Sequence, residues 1–221
     1  MGYVLHLETA TKNCSVAIGH QGRCVALVEA SADGFLHAEQ LHHFVEQALQ
    51  QAQIDWSALQ AIAVSGGPGS YTGLRIGVAA AKGYAFALQL PLIAIDTLAV
   101  LSAPLNQVEG HVVALMDARR MEVYTATFAQ GNWVETSHPC LVEADMFNHL
   151  QGPVHLVGDG QQKCQGVLTH PEIIWHYELI FPSAEALCAL AWPLFEQKQF
   201  VDLAYFEPFY LKPFMGALPK A

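Results

Sequence analysis

The sequence predicts an α/β protein built from two related halves. Each half opens with a pair of predicted strands joined by a short turn, and the first strand of each pair ends in a carboxylate, Glu8 or Asp117. Helix and strand patterns then follow each pair in a similar order. A glycine-rich loop that joins a strand to a helix, at 65–73, is the third observation. Together these features indicate a duplicated α/β unit.

The first half combines apolar runs of strand length with two helical patterns. Its predicted strands cover 3–7, 14–19, 25–29, 61–64 and 91–95. The first predicted helix covers 36–52 and has one apolar face. The second begins at residue 72 or 73, with Thr72 as the predicted N-cap, and ends at residue 88. The glycines and proline of the loop before it argue against regular structure there.

A short helix over 97–102 and a boundary at 104–110 close the first half, which predicts units at 1–104 and 105–221. The predicted elements of the second half are strands at 111–116, 121–128 and 154–157 and a helix at 183–197. The segment 206–213 contains too many residues that break helices and strands. We therefore expect it to lie across a surface, with the last residues of the chain disordered.

The second helix has more apolar surface than one sheet can cover. Arg75 and Lys82 are its only charged residues, and they form one narrow polar stripe. Ala79, Gly83 and Ala87 recur every four residues, a spacing that lets another backbone approach closely. Either a partner covers this helix in addition to its own sheet, or the rest of the chain covers it entirely.

The glycine-rich loop has the order of strand, loop and helix N-terminus that can hold a phosphate group. It lacks the Lys and Ser or Thr of a Walker loop, and Thr72 stands where a dinucleotide loop needs glycine. Pro68 also removes one N–H group from any anion-binding nest. We favour a tight turn that permits close backbone packing, with Gly67, Gly69 and Ser70 as the phosphate-binding alternative.

Composition argues against direct nucleic-acid binding. The chain has 221 residues, a formal net charge of −10 and a pI near 5.4, so phosphate backbones repel it. The five cysteines form no CxxC pair, which favours reduced thiols over a zinc site or a disulfide framework. The start lacks a signal-peptide pattern and no apolar stretch reaches membrane-spanning length. We expect a soluble protein of the cytoplasm.

Three kinds of chemistry are conceivable from the residue types. Paired acids such as Glu8 and Asp117 hold phosphates and magnesium in phosphotransferases, but Lys12 in the first turn and the lack of a clear general base speak against catalysis. The eleven histidines contain no pair four residues apart, so no metal site is predicted. Ser65, Ser70 and Cys14 are conceivable nucleophiles, but no elbow motif or base accompanies them.

Several motifs then resemble one family. The long motif at 65–83 is the most specific. Shorter ones are Glu8–Thr9–Ala10–Thr11, His37–Ala38–Glu39, the run at 117–124 and Pro208–Phe209–Tyr210–Leu211–Lys212. With these the chain resembles, over nearly its whole length, the TsaB (YeaZ) family of bacterial partner subunits in the synthesis of threonylcarbamoyladenosine in tRNA. Glu8, Ala10 and Lys212 depart from the family's usual Asp, Ser and Arg, and the first two weaken any claim of nucleotide binding.

The resemblance implies an actin-like fold of two subdomains, with mixed sheets flanked by helices, and no catalysis by this subunit. It implies pairing with the catalytic relative TsaD, which carries a metal-binding HxxxH that this chain lacks. It further implies a TsaE-type ATPase in the assembly, a possible homodimer, use of ATP and magnesium by the complex, and only indirect contact with tRNA. The remaining alternatives are an actin-like phosphotransferase and, less favoured, a glycoprotease-like peptidase.

Two sets of residues carry these expectations. The partner interface, with TsaD or with a second copy, is expected at the first two long helices. Its predicted members are Leu41, Phe44, Arg75, Ala79, Lys82, Gly83 and Phe86. A vestigial phosphate or nucleotide site is expected at Glu8, Gly67, Gly69, Ser70 and Asp117.

Overall fold

Two five-stranded mixed sheets form the centre of the protein. The computed structural model describes residues 2–31 and 37–212, and the side chains of His37 and Ala38 are not described. The first sheet has the order β3-β2-β1-β4-β5. Its strands are β1 (Tyr3–Glu8), β2 (Asn13–His20), β3 (Arg23–Ser31), β4 (Leu59–Gly67) and β5 (Leu92–Asp96).

The second sheet repeats this arrangement. It has the order β10-β9-β6-β7-β8. Its strands are β6 (His111–Asp117), β7 (Glu122–Ala129), β8 (Asn132–Leu141), β9 (Val154–Val157) and β10 (Ile173–Trp175). In each sheet three strands pair antiparallel and two further strands add in parallel beside the first. The predicted duplication of an α/β unit is therefore confirmed.

Helices cover both faces of the first sheet. The α-helices of the described residues are α1 (His37–Ala52), α2 (Tyr71–Leu88), α3 (Thr97–Ser102), α4 (Gln161–Cys164) and α5 (Ala184–Glu196), and of these α1, α2 and α5 lie on the first sheet. On one face, Leu41 of α1 and Val78 of α2 pack on Val16 and Val64 of the strands. On the other face, α5 packs through its small and apolar residues on the same sheet. The first sheet is thus a layer between two sets of helices.

Helix α5 belongs to the second half by sequence but not by contact. Leu187, Cys188 and Ala191 share a core with Val4 and Ala17 of the first sheet. Helix α3 lies against the second sheet, where Leu98 and Leu101 join its core. The division of the chain into units at 1–104 and 105–221 stays a proposal. The contacts of α5 place this helix on the first sheet.

Two local predictions were wrong near the glycine-rich loop. The N-cap of α2 is Ser70, whose Oγ accepts from the backbone N–H of Gly73 at 3.2 Å, and not Thr72. Gly66 and Gly67 belong to β4 and not to an irregular loop. The strand continues through a register shift between Ser65 and Gly67, the kind of irregularity at which strands accept glycine.

The predicted surface course of the chain's end is confirmed as far as Lys212. From Asp202 the chain crosses α2, and the N–H of Phe209 donates to the carbonyl of Gly66 at 2.7 Å. We call residues 202–212 the strap. The predicted disorder of the last residues concerns 213–221, which lie outside the described residues, as does the predicted helix start at residue 36. Among the helices of the described part, none is long and apolar enough to cross a membrane.

Candidate functional site

The carboxylate of Glu8 is sealed inside the protein. It stands at the end of β1, fully buried, and accepts hydrogen bonds from the Ser65 hydroxyl and from the N–H of Ala10, the latter at 2.7 Å. Burial raises the pKa of this carboxyl to about 7, against the smaller lowering effect of its hydrogen bonds. A carboxylate helps to hold a phosphate only when it is exposed and binds a cation that bridges the two groups. Glu8 is buried, and neither of these two partners is a cation.

The glycine-rich loop packs directly on the turn that follows Glu8. The N–H of Ser70 donates to the carbonyl of Ala10 at 2.7 Å, and the Thr9 hydroxyl donates to the carbonyl of Gly73 at 2.8 Å. A Cβ added at Gly69 would lie 2.6 Å from the oxygen of Ala10. Glycine is needed here because two backbones touch, which supports the packing interpretation of the loop.

Gly67 illustrates the same requirement on the other side of the loop. Its φ is +112°, a conformation that side chains rarely adopt, and an added Cβ would collide with the carbonyl oxygen of Phe209 in the strap. The loop is therefore held between the first hairpin and the strap. The vestigial nucleotide site at this loop stays a prediction.

Asp117 is exposed, but the chain supplies its cation. Lys163 places Nζ 2.6 Å from the carboxylate of Asp117, and the N–H of Arg119 donates to the same oxygen at 2.6 Å. Asp159 accepts the backbone N–H of Asp117 at 2.8 Å, and burial raises the pKa of the Asp159 carboxyl. Glu8 and Asp117 thus have separate partners. The contact between Asp117 and Lys163 resembles a structural ion pair.

The three conceivable nucleophiles are either hydrogen-bonded or buried. The Ser65 hydroxyl donates to Glu8, and the Ser70 hydroxyl caps α2. Cys14 is buried, and desolvation raises the pKa of its thiol to about 11, which leaves little thiolate at neutral pH. Within residues 2–31 and 37–212, no three His, Cys, Asp or Glu residues lie close enough together to hold a metal ion.

The outward face of α2 carries exposed residues beside a groove. Arg75, Ala79, Gly83 and Phe86 are exposed, and the side chain of Phe86 is 78% accessible. Beside them lies an open groove of about 500 Å³. Its lining residues are His42, Ile76, Ala79, Ala80, Gly83 and Tyr84. A contiguous apolar surface of this kind, formed by Phe86 and the groove beside it, is typical of a protein contact surface.

Two predicted interface residues do not reach this surface. Leu41 is fully buried and Phe44 is 8% accessible, because both lie on the face of α1 that packs on the sheet. The residue of α1 that lines the groove is His42, whose Nδ1 lies 2.5 Å from the hydroxyl of Tyr84. Sequence reasoning missed His42 and Tyr84. Tyr84 lies four residues after Ala80, so both share one side of α2, and this spacing was the available signal.

The polar stripe of α2 binds the strap of the same chain. Lys82 donates to the carbonyls of Ala204 and Phe206 at 3.2 and 3.0 Å, and Nε of Arg75 donates to the Tyr210 hydroxyl at 3.2 Å. Arg75 and Lys82 therefore have partners within the chain. The apolar residues beside the stripe remain exposed, and Tyr205 of the strap, 85% accessible, adds to the exposed aromatic surface of this region.

Comparison with known proteins identifies the family. The model of the TsaD family, tRNA N6-adenosine threonylcarbamoyltransferase, matches residues 34–190. The chain is 28% identical to the tRNA threonylcarbamoyladenosine biosynthesis protein TsaB of Escherichia coli K12, over 95% of this chain and 94% of that protein.

Solved structures agree with this. YeaZ from Pseudomonas aeruginosa superposes with a TM-score of 0.83 at 30% identity, over 96% of this chain and 100% of that one. The ethanolamine utilization protein EutJ of Carboxydothermus hydrogenoformans, at 11% identity and a TM-score of 0.55 over 85% of this chain and 89% of that one, shares the fold alone. The fold is actin-like, as expected. With its hairpins, glycine-rich loop and exposed α2 face, the chain belongs to the TsaB (YeaZ) family.

Proposed function

We propose that this chain is a non-catalytic partner subunit for the transfer of threonylcarbamoyl to the adenosine beside the anticodon of tRNA. In this role it activates a TsaD-type catalytic subunit. The observation that carries the proposal is the similarity to a threonylcarbamoyladenosine biosynthesis protein over 95% of the chain. A cytoplasmic location accords with that role.

The geometry at the two strand ends supports a role without catalysis. A phosphotransferase needs its acids free to hold magnesium and phosphate. Here Glu8 is buried under the glycine-rich loop, and Asp117 is paired with Lys163. ATP and magnesium are then needed by the complex and not held by this subunit.

The outward face of α2 is the proposed contact with the TsaD-type subunit. It offers a flat backbone at Ala79 and Gly83 and an exposed aromatic side chain at Phe86, next to the groove lined by His42 and Tyr84. Burial of a Phe side chain contributes about 1.5–3 kcal/mol. The same face serves a homodimer when the partner is absent, and a TsaE-type ATPase joins the heteromeric assembly.

Charge distribution fits an indirect relation to tRNA. With a formal net charge of −10, the chain is repelled by the phosphate backbone. The catalytic partner then supplies the tRNA contacts, while this subunit holds that partner in its active arrangement.

An omission assay tests the proposal. A TsaD-type subunit, a TsaE-type ATPase, tRNA, ATP with magnesium and the activated threonylcarbamoyl donor are combined with and without this chain, and modified adenosine is counted. We expect product only when the chain is present, and none from the chain alone. Equal product without it would refute the partner role, and product from the chain alone would refute the absence of catalysis.

A further inference from the structure

Two cysteines from distant parts of the sequence meet on the face of the first sheet that α5 covers. Cys24 lies in β3, at the edge of the sheet, and Cys188 lies in α5. Both belong to the apolar core between the sheet and this helix. The proposed partner role uses neither thiol.

Gly19 explains how the two side chains come together. Gly19 is the direct partner of Cys24 across the β2–β3 ladder. A Cβ added at Gly19 would lie 3.1 Å from Sγ and 3.2 Å from Cβ of Cys188, so Cys188 occupies the space that a side chain would fill. Directly opposite residues of an antiparallel pair have Cβ atoms about 5 Å apart and point to one face. Cys188 therefore stands beside Cys24.

The Cys24 thiol donates to the carbonyl of Ala26 at 3.3 Å. The neighbouring Cys188 side chain lowers the pKa of the Cys24 thiol, against the opposing effects of burial and of the charges of Glu185 and Glu29. The proximity of Cys24, together with burial, raises the pKa of Cys188. Cys24 is half-buried, whereas Cys188 is 1% accessible. The two cysteines thus differ in reactivity, with the more accessible one also the more acidic.

A histidine lies beside the buried thiol. Nδ1 of His6 lies 3.6 Å from Sγ of Cys188. Burial lowers the pKa of His6 to about 4, so its ring is neutral at physiological pH. In the tautomer with the proton on Nε2, Nδ1 can accept a hydrogen bond from the Cys188 thiol.

We propose that Cys24 and Cys188 are a site of reversible oxidation, at which a hydroperoxide converts the two thiols to an intramolecular disulfide. The Cys24 thiolate attacks one peroxide oxygen and gives a sulfenic acid, while the O–O bond breaks and the second oxygen leaves as water or an alcohol. Cys188 then attacks the sulfenic sulfur, its proton and the hydroxyl leave as water, and the S–S bond forms. The two thiols lose two electrons and two protons, and a dithiol reductant reverses the change.

The disulfide would fix α5 on the first sheet. That attachment now depends on core packing and on hydrogen bonds at the start of the helix. Glu29 of β3 accepts from the hydroxyls of Ser183 and Ser15 at 2.7 and 2.8 Å, and the N–H of Ala184 donates to Ser15 at 2.9 Å. A covalent link one turn further along α5 closes a very long loop, which restricts the unfolded chain.

The test is oxidation of the purified, fully reduced chain with hydrogen peroxide. Free thiols are then alkylated and the protein is digested without reductant for mass spectrometry. We expect loss of two of the five free thiols, a mass lower by two hydrogens, and a linked peptide pair containing Cys24 and Cys188. The melting temperature should rise by several degrees and return after dithiothreitol.

Variants distinguish this pair from other thiols. Cys24→Ser and Cys188→Ala should each abolish the linked pair, and the first avoids a cavity in the core. Cys140→Ser is the matched control, since Cys140 is also half-buried on a strand, and it should leave the link intact. A link between two chains, a link through other cysteines, or a peroxide-treated chain in which Cys24 and Cys188 stay unlinked would overturn the proposal.

Discussion

At Glu8 the sequence predicts the position of a side chain but not its environment. The carboxylate does stand at the end of a strand, as the pattern indicates. Its burial depends on the contact of Thr9 and Ala10 with the glycine-rich loop, some sixty residues further along the chain. A glycine needed for such a contact and a glycine needed for a phosphate look alike in sequence. In the structure the N–H of Ser70 donates to the carbonyl of Ala10, as close packing of two backbones requires.

Replacement of Glu8 by Gln should change how stability depends on pH. In the folded protein the pKa of Glu8 is raised from 4.5 to about 7, so between these pH values the folded state holds a proton that the unfolded state has released. Stability of the natural chain therefore falls as pH rises through this window, by at most about 3 kcal/mol. Gln cannot ionise, so Glu8→Gln should gain stability relative to the natural chain between pH 5 and pH 8.

Urea unfolding at both pH values measures this difference. Glu143→Gln, at an exposed carboxylate, is the control and should show no comparable gain. If the stability of Glu8→Gln relative to the natural chain were the same at pH 5 and pH 8, the buried carboxyl would not titrate as argued.

At the scale of elements, the strands and helices with strong periodicity were predictable and the edges were not. Helices α1 and α2 lie within a few residues of their predicted positions. The same is true of the strands predicted from apolar runs. Strand β8 was missed, because Pro139 interrupts its pattern and both its faces are largely exposed. Proline is tolerated there since β8 is the edge of its sheet. Strand β10 has three residues, too few for a periodic signal.

The strap contact was only half predictable. The sequence predicts that the chain's end lies across a surface, but not that the polar stripe of α2 is what it crosses. Lys82 is the central contact, since it donates to two carbonyls of the strap. A lysine at heptad spacing from an arginine gives no indication of an acceptor more than a hundred residues away.

Lys82→Gln should loosen the strap while α2 stays folded. Gln is too short to reach both carbonyls, and loss of these hydrogen bonds should cost about 1–2 kcal/mol of stability. Hydrogen exchange measures the effect locally: the amide of Phe209, which donates to Gly66, should exchange faster. Lys198→Gln, at an exposed lysine after α5, is the control and should leave this amide unchanged. Unchanged exchange in Lys82→Gln would show that other contacts hold the strap.

For the whole molecule, the repeated order of elements predicted two similar sheets, and the pairing of both sheets confirms it. The position of α5 was not predictable, because the apolar face of a helix does not specify which of two sheets it covers. Helix α5 covers the first sheet on the side away from α1 and α2. On the side of α1 and α2, the outward residues Ala79, Gly83 and Phe86 of α2 stay exposed.

If the α2 face serves both contacts, as proposed, self-association and partner binding should exclude each other. An added Cβ at Gly83 meets no atom within 4 Å, and non-glycine residues favour helix, so Gly83→Trp should fold normally. A bulky side chain there should nevertheless weaken both the homodimer and the complex with a TsaD-type subunit by tenfold or more, about 1.4 kcal/mol.

Sedimentation velocity measures the affinity of both complexes. Adding the partner to the natural chain should replace homodimer by heterodimer. Gly83→Ala and Leu141→Ser, the latter at an exposed apolar residue of β8, are the matched controls and should pair normally. A partner that binds an intact homodimer, or a Gly83→Trp chain with undiminished affinity, would place the contact on another surface.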